Sequence, residues 1–126
     1  MNPSREIIDF VSVNFLGKPF IAKGGPDKTD SFSCWSLVWH YENLCGLVLP
    51  YDPWEAVSQF VKVQDKPKWK DILSHKNFLM PIPHLGVLEM GGYVLHCNNR
   101  EAGVVRDEFY FPPWDDADVW RHNSLL

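Results

Sequence analysis

Two short apolar segments separated by a pair of glycines constrain the fold of this chain more than any other feature of its sequence. Residues 84–89 and 93–97 lie on either side of Met90, Gly91 and Gly92. Apolar runs joined by so few residues, with glycines between them, are typical of a β-hairpin. The sequence therefore predicts an antiparallel pair of strands at this place in the chain.

The length of the hairpin loop decides which way its two histidines point. A two-residue turn would place Val87 opposite His96 and put the histidines on opposite faces. A three-residue loop with Gly92 in a left-handed conformation would place Gly86 opposite His96, so that His84 and His96 share one face. Such diagonal neighbours, about 7 to 8 Å apart at the backbone, have side chains that can still meet. We predict the three-residue loop.

A second informative segment has a cysteine at the start of a predicted amphipathic helix. Asp30 or Ser31 is the expected N-cap, and Gly46 is expected to end the helix. The first-turn N–H groups and the helix dipole would favour the thiolate of Cys34, although a small buried cysteine is the common alternative. The residues that follow Cys34 at helical spacing and are expected to face inward are Leu37, Val38, Tyr41, Leu44 and Cys45.

The remaining segments predict shorter elements around this helix and hairpin. A polar surface is expected over residues 62–76, and His40, His75 and His122 are expected to be surface or packing residues. The other predicted elements are a helix at 4–16, a helix at 54–61, a strand at 77–80, a strand at 103–106 and an edge strand at 119–122.

Composition indicates one compact domain over residues 1–126 and excludes some function classes. Six tryptophans, eight phenylalanines and four tyrosines in 126 residues are enough for a dense core. A net charge of -4 argues against a nucleic-acid binder, which needs a basic face. The three cysteines show no disulfide framework and are expected to remain thiols. We find no signal peptide and no membrane-spanning pattern, and we expect no cofactor.

Three side chains in these segments form a candidate catalytic triad. Cys34 would be the nucleophile, His84 the general base, and His96 the residue that orients the base from the neighbouring strand. The backbone N–H of Cys34 is a candidate for the oxyanion hole. Either histidine alone would more often be structural, so the interpretation depends on the three occurring together.

Taken together, these motifs resemble the NlpC/P60 cysteine peptidases, which are papain-like cell-wall hydrolases, and especially their bacteriophage tail-assembly branch. The resemblance spans about residues 5–106. Ser33 stands where the family usually has an acidic residue or asparagine before the cysteine, and Phe20 stands near the position of a common tyrosine. The matching segments are Gly24 with Gly25, Asp30, residues 34–38, Tyr41, residues 46–50, residues 84–87 and His96.

The resemblance implies a fold, a substrate and a location. The fold would be α+β and papain-like, with N-terminal helices and the cysteine helix packed on an antiparallel β-sheet. The substrate would be an amide bond in the peptide stem of peptidoglycan. The implied location is a virion tail, made in the host cytoplasm and delivered to the host cell wall, with tail-tip proteins as partners.

Three other interpretations remain open. The chain could be a structural module of a phage tail tip that keeps the fold without activity, or a cysteine amidase or acyltransferase with another acyl substrate. A metal site at His84, His96 and Cys97 is a third alternative. Adjacent strand residues point to opposite faces, however, so His96 and Cys97 cannot readily share one ion.

Overall fold

The computed structural model describes residues 10–11, 14–74, 85–97, 103–109 and 114–126. The strand predicted at 77–80, His75, His84 and most of the predicted helix at 4–16 lie outside the described residues. Within that first helix, Phe10, Val11 and Asn14 are helical. The N–H of Phe15 donates to the carbonyl of Val11 at 3.0 Å, which places a helical turn there.

The described residues form a helix packed on a six-stranded antiparallel sheet. The strand order is β1-β6-β2-β3-β4-β5, and helix α1 packs on β3 and β4. Among the described residues, no helix is both long and apolar enough to cross a membrane. In chain order the elements are α1 (Cys34–Leu44), α2 (Pro53–Val57), β1 (Phe60–Val63), β2 (Ile72–Ser74), β3 (Leu85–Leu88), β4 (Tyr93–Cys97), β5 (Val104–Glu108), a 3₁₀ helix (Trp114–Asp116), β6 (Asp118–His122) and a second 3₁₀ helix (Asn123–Leu125).

Helix α1 begins with a capping box. The Ser33 hydroxyl accepts from the N–H of Ser36 at 3.1 Å, and the Ser36 hydroxyl accepts from the N–H of Ser33 at 2.8 Å. The predicted N-cap at Asp30 or Ser31 is therefore wrong. Ser33 replaces them because its oxygen reaches the third helical N–H while Ser36 returns the bond. Cys34 is thus the first helical residue.

The C-terminal end of α1 is as predicted. Gly46 has a φ of +89°, a left-handed conformation that glycine adopts without strain. The N–H of Leu47 then donates to the carbonyl of Glu42 at 2.9 Å and closes the helix. Of the residues predicted to face inward, Leu37, Val38 and Tyr41 are fully buried, while Leu44 and Cys45 are half-buried.

The β3–β4 hairpin has the predicted three-residue loop. Gly86 pairs with His96 in the antiparallel register. The N–H of Glu89 donates to the carbonyl of Tyr93 at 2.7 Å, which leaves three residues in the loop, and Gly92 has a φ of +90°. In this register Gly86 and His96 lie opposite each other on one face of the hairpin, whereas His84 lies outside the described residues.

The two faces of this hairpin pack against different parts of the chain. Leu85, Val87, Leu95 and Cys97 belong to the core cluster that includes the buried face of α1. Residues on the opposite face, such as Leu88 and Val94, pack around Trp114. His96 alternates with Leu95 and Cys97 along β4, and its side chain therefore lies on the Trp114 face.

The helix predicted at 54–61 is shorter in the structure, where it spans the five residues Pro53–Val57. Asp52 caps α2 by accepting from the N–H groups of Trp54 and Glu55, and Pro53 occupies the first turn. Trp54, predicted to face inward, is 62% exposed. Phe60–Val63 forms β1 instead of the second half of the helix, because pairing with β6 satisfies its backbone. Sheet pairing here overrides a pattern that also fits a helix.

The segment predicted to be a polar surface contains a buried strand, which makes that prediction wrong for residues 71–74. Ile72–Ser74 lies between β3 and β6 and is buried. Asp71, just before it, is fully buried and pairs with Arg121 at 2.8 Å. The strand predicted at 119–122 is present as β6, but it lies inside the sheet between β1 and β2, not at an edge.

Candidate active site

Cys34 lies where the start of α1 meets the ends of β3 and β4. Its thiol donates a hydrogen bond to the main-chain carbonyl of Cys97 at 3.0 Å. The main-chain N–H groups of Leu85 and of Cys34 itself lie close enough to the sulfur to lower the pKa of the thiol. The side chain is half-buried. The structure therefore brings the predicted nucleophile to the first residue of β3 and to the last residue of β4, the strand that carries His96.

The protonation of Cys34 differs from the sequence-based expectation. Burial raises the pKa of the Cys34 thiol above its ordinary value of 9.0, and the two nearby N–H groups lower it by less. The helix terminus alone predicted a thiolate, but the packing of α1 on the sheet removes water from the sulfur. The resting side chain is therefore a thiol, and a base is needed to activate it.

The structure does not test His84 as that base, because His84 lies outside the described residues. Its neighbour in the chain, Leu85, is the first residue of β3, and Leu85 contacts the Cys34 sulfur through its N–H. The role of His84 therefore remains a prediction, although its chain neighbour Leu85 lies beside the Cys34 sulfur.

His96 is held by a carboxylate that no sequence motif indicated. Its Nε2 lies 2.5 Å from Oδ2 of Asp107, and its ring centroid lies 4.9 Å from that of Trp114 at an interplanar angle of 60°. The indole N–H of Trp114 donates to the same Oδ2 at 3.2 Å. His96, Asp107 and Trp114 therefore form a hydrogen-bonded cluster on the sheet face opposite α1.

The protonation of His96 follows from its burial. Burial lowers the pKa of His96 below its ordinary value of 6.5, while the hydrogen bond and charge of Asp107 act in the opposite sense. The ring is neutral at neutral pH. With Nε2–H donating to Asp107, Nδ1 is the unprotonated acceptor nitrogen.

Asp107 could have been found only through the strand register. The predicted strand ended at residue 106, whereas β5 continues to Glu108. His96 pairs with Val105, which makes Asp107 its diagonal neighbour on the same face. Nothing in the sequence pattern around Trp114 indicated this contact.

The glycine pair before the cysteine helix packs against the helix start. A Cβ added at Gly24 would collide with the side chain of Ser36, so only glycine allows this close approach. The His40 ring hydrogen-bonds the carbonyl of Gly25 at 3.1 Å. His40 is thus a packing residue, as expected, and it holds this loop beside Cys34.

The described part of the chain contains no candidate ligand set for the metal site considered above. Among those residues, no three histidine, cysteine or acidic side chains are grouped so that they could hold an ion. All three cysteines are thiols.

Comparison with known proteins supports the fold. No protein-family model and no curated protein matches this sequence. A solved structure of an NlpC/P60 family protein from Bacillus cereus ATCC 10987 is similar, with a TM-score of 0.70 and 18% identity over 96% of this chain. Another, described as similar to a lipoprotein of the NLP/P60 family, from Staphylococcus aureus subsp. aureus Mu50, has a TM-score of 0.64 and 17% identity over 97% of this chain.

The chain spans 40% and 42% of the lengths of these two proteins. Both similarities include nearly all of this chain, so they concern its fold as a whole. The predicted α+β class, with the cysteine helix on an antiparallel sheet, is confirmed. The chain has the fold of NlpC/P60 family proteins.

Proposed function

We propose that this protein is a cysteine peptidase that hydrolyses an amide bond in the peptide stem of peptidoglycan. The observation that carries the proposal is the placement of Cys34. Its sulfur lies at a capped helix start and within hydrogen-bond reach of the N–H of Leu85 and the carbonyl of Cys97. The fold shared with NlpC/P60 family proteins supports this substrate class.

The chemistry follows from a protonated resting thiol. His84 takes the Cys34 proton while the sulfur attacks the amide carbon, and the N–H of Cys34 stabilises the oxyanion that forms. The carbon–nitrogen bond then breaks, and His84 returns the proton to the leaving amine. Water, deprotonated by His84, hydrolyses the thioester and restores the thiol. His96 orients the base throughout.

We further propose that a phage tail delivers the protein from the host cytoplasm, where it is made, to the host cell wall, with tail-tip proteins as its partners. The resemblance of residues 24–50 and 84–96 to the tail-assembly branch supports this. A catalytically silent tail module is the second candidate, and the raised pKa of Cys34 favours it.

Digestion of purified sacculi separates these functions. We expect wild-type protein to release stem-peptide fragments with new amino and carboxyl termini, detected by mass spectrometry. Cys34→Ala should release none, whereas Cys45→Ala, a matched change of the half-buried cysteine at the other end of α1, should retain release. Release by Cys34→Ala, or none by wild type, would contradict the peptidase. A fragment joined to an added amine would indicate an acyltransferase.

A further inference from the structure

We propose that Asp107 is a positioning residue that holds His96 in the tautomer with its proton on Nε2, and that Trp114 holds Asp107 for this task. The inference rests on the proposed function, because it concerns how His96 orients the base. It adds to the site a carboxylate that no sequence motif indicated.

The geometry of the cluster supports a directed contact. Oδ2 of Asp107 accepts from Nε2 of His96 at 2.5 Å and from the indole N–H of Trp114 at 3.2 Å. Two donors on one oxygen restrict the carboxylate to a narrow range of orientations. Trp114 is itself buried, so its N–H is a stable anchor.

Burial distinguishes this contact from an ordinary surface ion pair. The His96 side chain is 3% exposed, whereas that of Asp107 is 44% exposed. An exposed pair contributes little because water competes for both partners. Here the partly exposed carboxylate of Asp107 accepts a hydrogen bond from the buried ring of His96. Without it, the ring nitrogen would lose its hydrogen bond to water on folding and gain none in return.

The position of His96 connects the cluster to the nucleophile. His96 directly precedes Cys97, whose carbonyl accepts the hydrogen bond of the Cys34 thiol. A shift of β4 at His96 would therefore also displace the acceptor that holds the sulfur. When Nε2–H of the neutral ring donates to Asp107, Nδ1 is the acceptor nitrogen of His96. An acceptor is what His96 needs in order to orient the base, because the base would donate an N–H hydrogen bond to it.

The first test is the tautomer of His96, measured by long-range ¹H–¹⁵N correlation NMR on labelled protein without substrate. We expect the Nε2–H form in wild type. Asp107→Asn should keep it because the amide oxygen still accepts, whereas Asp107→Ala should give a mixed tautomer. Glu108→Ala removes the adjacent exposed acid and is the matched control, with an expected spectrum like that of wild type.

The second test is kcat/KM on sacculi with the same variants. Asp107→Ala should lose on the order of tenfold to a hundredfold, as when one hydrogen bond to a charged group is removed. Asp107→Asn should recover a large part of that loss, and circular dichroism should show that both variants are folded. If Asp107 only stabilised the fold, recovery of kcat/KM in Asp107→Asn would not be accompanied by recovery of the Nε2–H tautomer.

The inference and the proposed function fail in different ways. An Nδ1–H ring in active wild-type protein, or an Asp107→Ala variant with unchanged tautomer and activity, would overturn the role of Asp107 alone. A wild-type protein that cleaves no stem peptide would overturn the function, and the role with it.

Discussion

The thiol of Cys34 donates a hydrogen bond to the carbonyl of Cys97 at 3.0 Å, across 63 positions of sequence. The thiol of Cys97 in turn donates to the carbonyl of Phe32 at 3.3 Å. These two bonds join the start of α1 to the end of β4. The position of the nucleophile is therefore set by the sheet as much as by its own helix, and the thiol must leave the Cys97 carbonyl before it can react.

The order in which the cysteines are alkylated should follow their pKa values. Burial raises the pKa of Cys45 to about 11 and that of Cys97 to about 12. Burial also raises the pKa of Cys34 above its ordinary value of 9.0, while two nearby backbone N–H groups lower it by less. We expect iodoacetamide to modify Cys34 first, with a rate that increases with pH to a midpoint above 9.0. Peptide mass mapping across pH measures this, and a midpoint well below 8.5 would indicate a preformed thiolate.

A methyl group at Gly86 should disturb both the fold and the His96 cluster. A Cβ there would collide with Val94 and lie 3.1 Å from the Trp114 ring. We expect Gly86→Ala to lower the free energy of unfolding by about 1–3 kcal/mol, as overpacking does, and to reduce activity by displacing Trp114. Gly25→Ala is the control, because its Cβ would meet no atom within 4 Å among the described residues. Equal urea midpoints for the two variants would contradict this.

Removal of Arg121 should destabilise the sheet strongly. Its guanidinium pairs with the fully buried Asp71 at 2.8 Å and with Asp65 at 2.9 Å. Arg121→Met would leave Asp71 buried without its cation, at a cost of about 3–5 kcal/mol. Lys28→Ala, which breaks a pair at 3.7 Å with Asp30 in which both side chains are exposed, should cost only about 0–1 kcal/mol. Chemical denaturation compares them, and similar losses would show that burial of the pair is unimportant.

Glu42 should make the protein less stable as pH rises. Its side chain is fully buried, and neither carboxylate oxygen has a hydrogen-bond partner among the described residues. Burial raises the pKa of Glu42 well above its ordinary 4.5; nearby Lys70 opposes this shift and Asp71 adds to it. The native state therefore binds the proton more tightly than the unfolded state does.

The sign of the effect follows from this shift. The stabilising contribution of the Glu42 proton is fully present below pH 4.5 and is lost as pH rises toward the native pKa. Over that window the slope is up to about 1.4 kcal/mol per pH unit. Glu42→Gln should remove this part of the pH dependence in urea titrations, whereas Glu55→Gln, an exposed change on α2, should not. Parallel stability curves for wild type and Glu42→Gln would refute the assignment.

The sequence alone determined those elements whose conformation depends on residues close together in the chain. The β3–β4 hairpin, its three-residue loop and the end of α1 at Gly46 were all predicted, because glycine conformation and apolar alternation act within a few residues. The position of Cys34 at a helix start was also predicted, although the cap is Ser33 and not Asp30 or Ser31. Strands β5 and β6 were recognised from their apolar runs.

Only the tertiary structure decided the elements and contacts that depend on distant partners. Phe60–Val63 is a strand because β6 pairs with it, and β2 is buried because it lies between β3 and β6. Asp71, just before β2, is paired with Arg121. The raised pKa of the Cys34 thiol and the contact of Asp107 with His96 likewise arise from packing across the sheet. Burial and cross-strand register are properties of the assembled fold, since they depend on residues far apart in sequence.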